Sequence, residues 1–462
     1  MTKMRICELT TLARLVLAFA ATEIQAQTYI DLYNFGTNSG DPIQAQPAVI
    51  AQGRDGNLYS ATERGGTDSG GTAFEVTPTG DLSVIYNFGF PVGEDPSGGL
   101  TLGTNGNLYG TTQSGGTGPG IVFEVTPAGK LTTLHKFDTS DGASPYAPPI
   151  QGVDGNFYGT TFGGGTDNHG TVYKLSASGE LTTLYMFDGS DGAGPIGPLV
   201  QGINRDFYGT TNGGGDNNNG TVFKITSKGE FTTLYFFDGT HGMQPTAPLV
   251  QGTNGSFYGT TTNGGAYGQG TVYKVNSKGK LTVLYSFSQS SGMGCYPAGG
   301  LVLGSDGNFY GTASQGGTNN DGTVYRSTPR GAYSMVHSFV GTDGSSPLTT
   351  LLQHTTGVLY GDTYSGGTYG LGVFFSLNVG LNPFVSFLPQ QSPGKVGASI
   401  GIFGQGLTGT TGVSFGGTPA TFTVSSDTYL TATVPGGAET GVITVTTPGG
   451  TLTSNKTFRV TH

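Results

Sequence analysis

Four short apolar runs separated by polar turns fill the stretch from Pro198 to Phe237: PLVQG, DFYGTT, GTVFKI and FTTLYFF. Their length and their β-branched and aromatic content read as strands. In sister copies the first two runs are joined by Asn105-Gly106, Asp154-Gly155, Asn254-Gly255 or Asp306-Gly307, dipeptides that favour the two-residue hairpin loops matching strand twist. The third and fourth are joined by Ser178-Gly179, Lys228-Gly229 or Lys278-Gly279. Each copy is therefore expected to be a four-stranded antiparallel meander. The copies are marked by Tyr59, Tyr109, Tyr158, Tyr208, Tyr258, Tyr310 and Tyr360, at spacings of 50, 49, 50, 50, 52 and 50 residues.

A fixed period of this length sets the architecture before any other feature. A meander with two apolar faces buries both only by stacking on neighbours around an axis, which favours a β-propeller. The chain ends point the same way. TYIDLYNF (Thr28 to Phe35) matches fourth strands such as LTTLYMF (Leu181 to Phe187), whereas the last copy stops after its third strand, GVFFSL (Gly372 to Leu377). The expected fold is all-β: a seven-bladed β-propeller closed by the N-terminal strand, spanning 27–380, followed by an immunoglobulin-like β-sandwich over 381–462. A glycine directly follows six of the seven marker tyrosines, as in FYGTT; it is expected where inner strands crowd and backbones approach closely. The tyrosines then pack between blades, or alternatively line a channel with hydroxyls.

Composition narrows the setting. Of 462 residues, 85 are glycine, only 10% are charged, and Trp is absent beside 23 Tyr and 27 Phe. The first 26 residues read as a secretory signal, with Lys3, Arg5 and Arg14 supplying positive charge, Leu12 to Ala21 an apolar run and Ile24-Gln25-Ala26 a cleavage site after Ala26. Removing its three basic and two acidic residues takes the net charge from −10 to −11. An acidic exported protein is a poor nucleic-acid partner, and no other stretch approaches the length of a membrane span. The location is expected to be secreted or cell surface. Cys7 leaves with the signal, so Cys295 stands alone, with no disulfide and no zinc spacing.

The repeated Gly-aromatic-Tyr-Gly-Thr-Thr stretch, the double glycine and Gly-Thr-Val-aromatic, as in GTVYKL at Gly170 to Leu175, resemble the Gloeo/Verruco (GloVer) tandem repeat of secreted bacterial proteins over roughly 28 to 377. Departures are Ser60-Ala61 for Gly-Thr, Ile121 for the Thr of Gly-Thr-Val, and Asp362 for a Thr. The resemblance implies export with varied C-terminal attachment segments, and brings no reaction. The C-terminal Pro-Gly, Ile-x-Gly-x-Gly, Val-x-Phe-Gly, Val-Pro and Thr-Pro-Gly-Gly order resembles the IPT/TIG immunoglobulin-like domain, which implies a surface module.

Chemistry is sparse. Gly397-Ala398-Ser399-Ile400-Gly401 matches a nucleophile-elbow pattern but falls in an expected sandwich strand, without the strand-to-helix turn that motif needs. Alternating strand direction puts the loops joining strands two and three, and the connections between copies, on one face. These loops are long and rich in Asn and Asp, and rigid scaffolds place binding residues on such loops. Asp138 with Asp141, Asp188 with Asp191, Asp238 with His241, and Asp343 are the candidate ligand-binding residues. Three readings stay open for them: tight-turn stabilisation, calcium binding by oxygen ligands, or a facing acid/base pair as in glycoside cleavage. No catalytic residue, protein metal site or cofactor is expected otherwise. Near-identical copies favour binding over catalysis, with Tyr267, Tyr364 and Tyr369 able to serve for the missing tryptophans in sugar stacking. The expected function is an exported, non-catalytic binding or adhesion module for an extracellular glycan or protein; the alternative is a polysaccharide-acting enzyme using the loop aspartates.

Overall fold

The computed structural model describes residues 27–461 except 47 and 116; the expected signal segment, 1–26, lies outside the described residues. Among the described residues the repeat region forms seven four-stranded antiparallel sheets. In the third copy the strands are Ile150–Gln151, Phe157–Thr161, Thr171–Leu175 and Leu181–Met186. The seventh sheet is composite: Leu352–Gln353, Leu359–Asp362 and Val373–Asn378 take Thr28–Asn34 as their fourth strand, with Thr28 opposite Asn378 and Asn34 opposite Val373.

Burial grades across each sheet. The second strand, FYGTT in the third copy, is buried at every position, and the third strand is buried except at its fourth residue. The fourth strand shows intermediate or exposed residues throughout. The first strand is only two residues long in every copy, shorter than the apolar run. Every sheet carries a bulge between its third and fourth strands, between Val172 and Tyr173 in the third copy. Such bulges raise local twist.

The interior glycine has a cause within its own sheet. Gly159 lies opposite Tyr173 on the third strand, and a Cβ on Gly159 would sit 2.3 Å from the Tyr173 hydroxyl; at Gly209 and Gly110 it would sit 2.5 and 2.4 Å from the rings of Phe223 and Phe123. The aromatic of the third strand therefore lies across the glycine and covers it, the cross-strand rescue known for strand glycines. We expect Gly159→Ala to destabilise by roughly 1–3 kcal/mol through overpacking. In a double-mutant thermal unfolding series, much of that loss should vanish in a Tyr173→Val background, which removes the ring; equal losses in both backgrounds would refute the explanation.

The marker tyrosines join neighbouring sheets. Tyr158 stacks on Phe207 with ring centroids 3.9 Å apart, Tyr208 on Phe257 at 3.9 Å and Tyr258 on Phe309 at 4.1 Å. The hydroxyls of the first six bond their own hairpin loops, Tyr158 donating to Asp154 at 2.7 Å and Tyr310 to Asp306 at 2.9 Å, whereas Tyr360 donates to the Pro78 carbonyl of the first copy at 3.4 Å. The Asp of an Asp-Gly turn thus both shapes the hairpin and receives the phenol. A second inter-sheet link comes from a glutamine in the first strand. Gln151, Gln201, Gln251 and Gln353 each accept a bond at 2.9–3.0 Å from a turn amide of the preceding copy, and Gln52 of the first copy accepts one from Thr355 of the seventh at 3.2 Å.

Beyond Asn378 the chain forms an immunoglobulin-like pair of sheets. One contains Ser386–Phe387, Ser399–Phe403, Phe422–Val424 and Tyr429–Thr433; the other contains Gly412–Phe415, Thr418–Ala420, Ile443–Thr447 and Gly450–Thr453. Their shared core includes Ile402, Phe415, Leu430, Val445 and Phe458. Ser399 lies in a strand and is exposed, so the nucleophile-elbow pattern lacks its turn.

Candidate functional site

The two ends of the repeat region differ. The hairpin turns joining strands one to two carry the C-terminal domain. Thr428 donates to the Arg54 carbonyl at 2.6 Å, Gln405 to Thr355 at 3.2 Å and Arg459 to the Ile203 carbonyl at 2.9 Å. The Arg54 guanidinium lies 4.8 Å from the centroid of the Tyr429 ring. These contacts draw on copies one, four and seven, so the domain reaches across the turn end.

The opposite end is built from the loops between strands two and three and from the connections between copies. They pair with one another through isolated bridges, Ala143 with Gly163 and Ala193 with Gly213. Where the connections turn inward, residues of all seven copies, among them Ala48, Gly98, Ala147, Gly197, Ala247, Ala298 and Thr350, enclose a cavity of only about 10 Å³. That is about the space of one water. A shallower recess of about 440 Å³ lies at the junction of the N-terminal segment and the first copy, lined in part by Asn38, Asp41, Arg64 and Ser69.

Around the cavity stand side chains that change from copy to copy on an unchanging frame. The residue after each second strand is Glu63, Gln113, Phe162, Asn212, Thr262, Ser314 or, one residue further on, Tyr364. Several pair with a residue that lines the cavity or directly precedes one that does: Gln113 donates to Ser97 at 2.8 Å, Thr262 and Thr246 are 3.1 Å apart, and Phe162 meets Tyr146 edge-on at 5.3 Å. Burial and the nearby carboxylate of Asp95 push the Glu63 carboxyl up. Burial, then Glu63 and Asp95, push the Tyr146 phenol up. Copies one to three thus converge on a like-charge pair beside an aromatic pair.

The aspartates singled out by sequence lie farther along the same connections, each within its own. Asp138 accepts the amides of Ser140 and Asp141 at 2.8 and 3.2 Å, and Asp141 accepts the Asp138 amide and contacts His135 at 2.8 Å. Asp188 and Asp191 repeat this pattern, with Tyr185 donating to Asp191. Asp238 meets the amide and ring of His241 at 2.8 and 2.7 Å, and Asp343 accepts the Val340 amide and contacts His337 at 3.1 Å. Hydrogen bonds from Ser140 and Ser190 hold Asp138 and Asp188 below the usual carboxylate range. Burial raises Asp238, but the His241 amide and ring bring it down overall, while burial raises Asp191. Among the described residues no three His, Cys, Asp or Glu side chains are grouped so as to hold a metal ion. Sequence reasoning missed the cavity rim; its signal was available, as the one position after YGTT that changes in every copy.

This arrangement is that of a tandem-repeat β-protein with an appended immunoglobulin-like domain, open at its loop end. The chain belongs to the Gloeobacter/Verrucomicrobia repeat family, whose model matches residues 18–204 and 117–303, and an IPT/TIG domain matches residues 384–460. No curated protein matches. Among solved structures, a fungal alcohol oxidase of the AA5 family in complex with copper is 15% identical, covering 92% of this chain and 100% of its own, with a TM-score of 0.48. A putative 6-phosphogluconolactonase from Bacteroides uniformis is 17% identical, covering 67% and 95%, with a TM-score of 0.44. Among the described residues no helix is long and apolar enough to cross a membrane.

Proposed function

We propose that this chain is an exported, non-catalytic binding module in which a closed seven-bladed β-propeller presents its loop-rich face to an extracellular ligand. Closure is supported by the N-terminal strand in the seventh sheet, by the Gln52 link from first copy to last, and by one cavity lined from all seven copies. The observation that carries the functional reading is the division of the two ends: the C-terminal domain occupies the hairpin turns, while the open loops hold the side chains that vary between copies. A rigid frame with variable loop residues is how scaffolds present binding sites. The C-terminal domain then serves as spacer or attachment on the far side. A polysaccharide-acting enzyme would need two carboxylates facing one substrate bond, and Asp138, Asp141, Asp188, Asp191 and Asp238 each bond within their own connection or the strand that leads into it.

The test is a thermal-shift screen of residues 27–462 against extracellular glycans, peptides and calcium, beside the triple variant Asp138→Ala, Asp188→Ala, Asp238→Ala and a Glu63→Gln variant. A stabilising compound whose effect is lost in the loop variants is the expected outcome. A compound whose effect survives them and disappears on removal of 381–462 would move recognition to the C-terminal domain.

A further inference from the structure

Charge is divided between the two ends as sharply as shape. Counted over the loops between strands two and three and the connections between copies, the open face carries fourteen Asp and Glu residues and a single cation of the Lys/Arg type, Arg64. The hairpin turns at the other end carry seven of each sign. The two carboxylate–lysine pairs among the described residues, Lys174 with Asp154 and Lys224 with Asp206, both belong to the hairpin end. Among the described residues, then, the carboxylates of the open face form no ion pair with lysine or arginine, and exposed aromatic rings stand among them: Phe162 is 38% exposed, Tyr267 65% and Tyr369 53%.

We infer that the loop-rich face docks a basic polypeptide segment, its carboxylates taking arginine and lysine side chains while its exposed rings cover their stems. The inference rests on the reading of this face as the recognition surface. Within the described residues the carboxylates of this face meet only histidines among ionisable cations, Asp141, Asp238 and Asp343 with His135, His241 and His337, so the face gains on meeting a cationic partner and steers that partner's approach. The aromatic rings decide between cationic classes. A guanidinium stacks on a ring and pairs with a carboxylate in one placement, and the lysine stem lies along apolar surface with its head free. Glu63 and Asp95 lie close enough to each other and to Tyr146 for their charges to interact, and Phe162 meets Tyr146 edge-on, which brings both elements together. Tyr267 and Tyr369 belong to the loops on either side of the sixth copy's loop, which carries Asp321. An amino sugar would meet the carboxylates but has no planar group to share between ring and carboxylate.

The experiment titrates a fluorescent octa-arginine peptide into the 27–462 chain and follows anisotropy, with chitosan oligomers, neutral glycans and an octa-glutamate peptide in parallel. Peptide binding is expected to weaken about tenfold between about 50 mM and about 300 mM NaCl as screening grows. The Glu63→Gln, Asp95→Asn variant should lose about tenfold in affinity, a loss of about 1.4 kcal/mol. A charge-matched hairpin-end variant, Glu180→Gln with Glu230→Gln, should bind as the parent does. Tyr267→Ser with Tyr369→Ser, at exposed positions that leave folding intact, should also weaken the peptide. Equal losses in the loop and hairpin variants, or no peptide binding, would overturn the inference. If chitosan or a neutral glycan binds instead and is lost in the loop variants, the face is still the recognition surface and only its partner class is wrong; binding indifferent to every loop variant removes both readings.

Discussion

Replacing Asp362 by threonine is expected to stabilise the protein, and to do so more at pH 8 than at pH 4. In the second, fourth, fifth and sixth copies the threonine at this position donates to a carbonyl of the next copy: Thr111 to Ala147, Thr210 to Ala247, Thr260 to Gly299 and Thr312 to Thr349, at 3.2–3.5 Å. The seventh copy puts a carboxyl there. It is buried, receives the Thr349 hydroxyl on Oδ1, and has no partner on Oδ2. Burial pushes its pKa up from 3.8 to about 7, against the pull of Thr349.

A carboxyl raised in the folded state keeps its proton there after the unfolded chain has lost it, so stability falls as pH rises from about 4 to about 7 and then stays low. Over about three units this amounts to roughly 4 kcal/mol. The hydroxyl that Asp362→Thr introduces does not titrate in this range, so the difference in melting temperature between variant and parent should open across that window and level off above it. Calorimetric scans at pH 4 through 8 check this; parallel curves for the two proteins would refute it. The loss falls where the seventh sheet meets the first copy, beside the bond from Thr349 to the Gln46 carbonyl.

Deleting Thr28 to Phe35 is expected to have the largest effect. Tyr29 stacks on His337 at 4.2 Å, meets Phe375 at 5.4 Å and donates to the Asp343 carbonyl at 2.5 Å. Phe35 is fully buried and packs edge-on against Phe74 of the first copy at 5.9 Å. Without this segment the third strand of the seventh sheet loses its outer neighbour, and the first and last copies lose their shared aromatic contact. Burial of Tyr29, Leu32 and Phe35 alone is worth roughly 5 kcal/mol, which for a chain of this size lowers the melting temperature by roughly 5 °C. A synthetic peptide of residues 28–35 added in trans should restore part of the loss. A deletion that melts like the parent would show that the junction between the first and last copies does not depend on this strand.

The repeat period, the four-strand unit, the hairpin turns and the match between TYIDLYNF and a fourth strand could all be read from the chain, because each rests on neighbours in sequence: a dipeptide sets a turn, and alternation sets a strand. The division into a loop end and a hairpin end followed from strand direction alone. Tertiary structure decided what such local rules leave open. Gly159 owes its identity to Tyr173 on the adjacent strand, a contact invisible to any reading along one strand. Gln52 and Thr355, 303 residues apart, meet only when the last copy lies beside the first. The aspartates of the connections were legible as residues but not as self-contained turns, since the amides they cap are set by backbone geometry. The C-terminal domain could be recognised from its turns and glycines, yet which end it covers depends on Arg54 meeting Tyr429 and Arg459 meeting Ile203, each pair hundreds of residues apart in sequence. That choice leaves the acidic loop end open, and it is made by packing between surfaces rather than by any pattern within one segment.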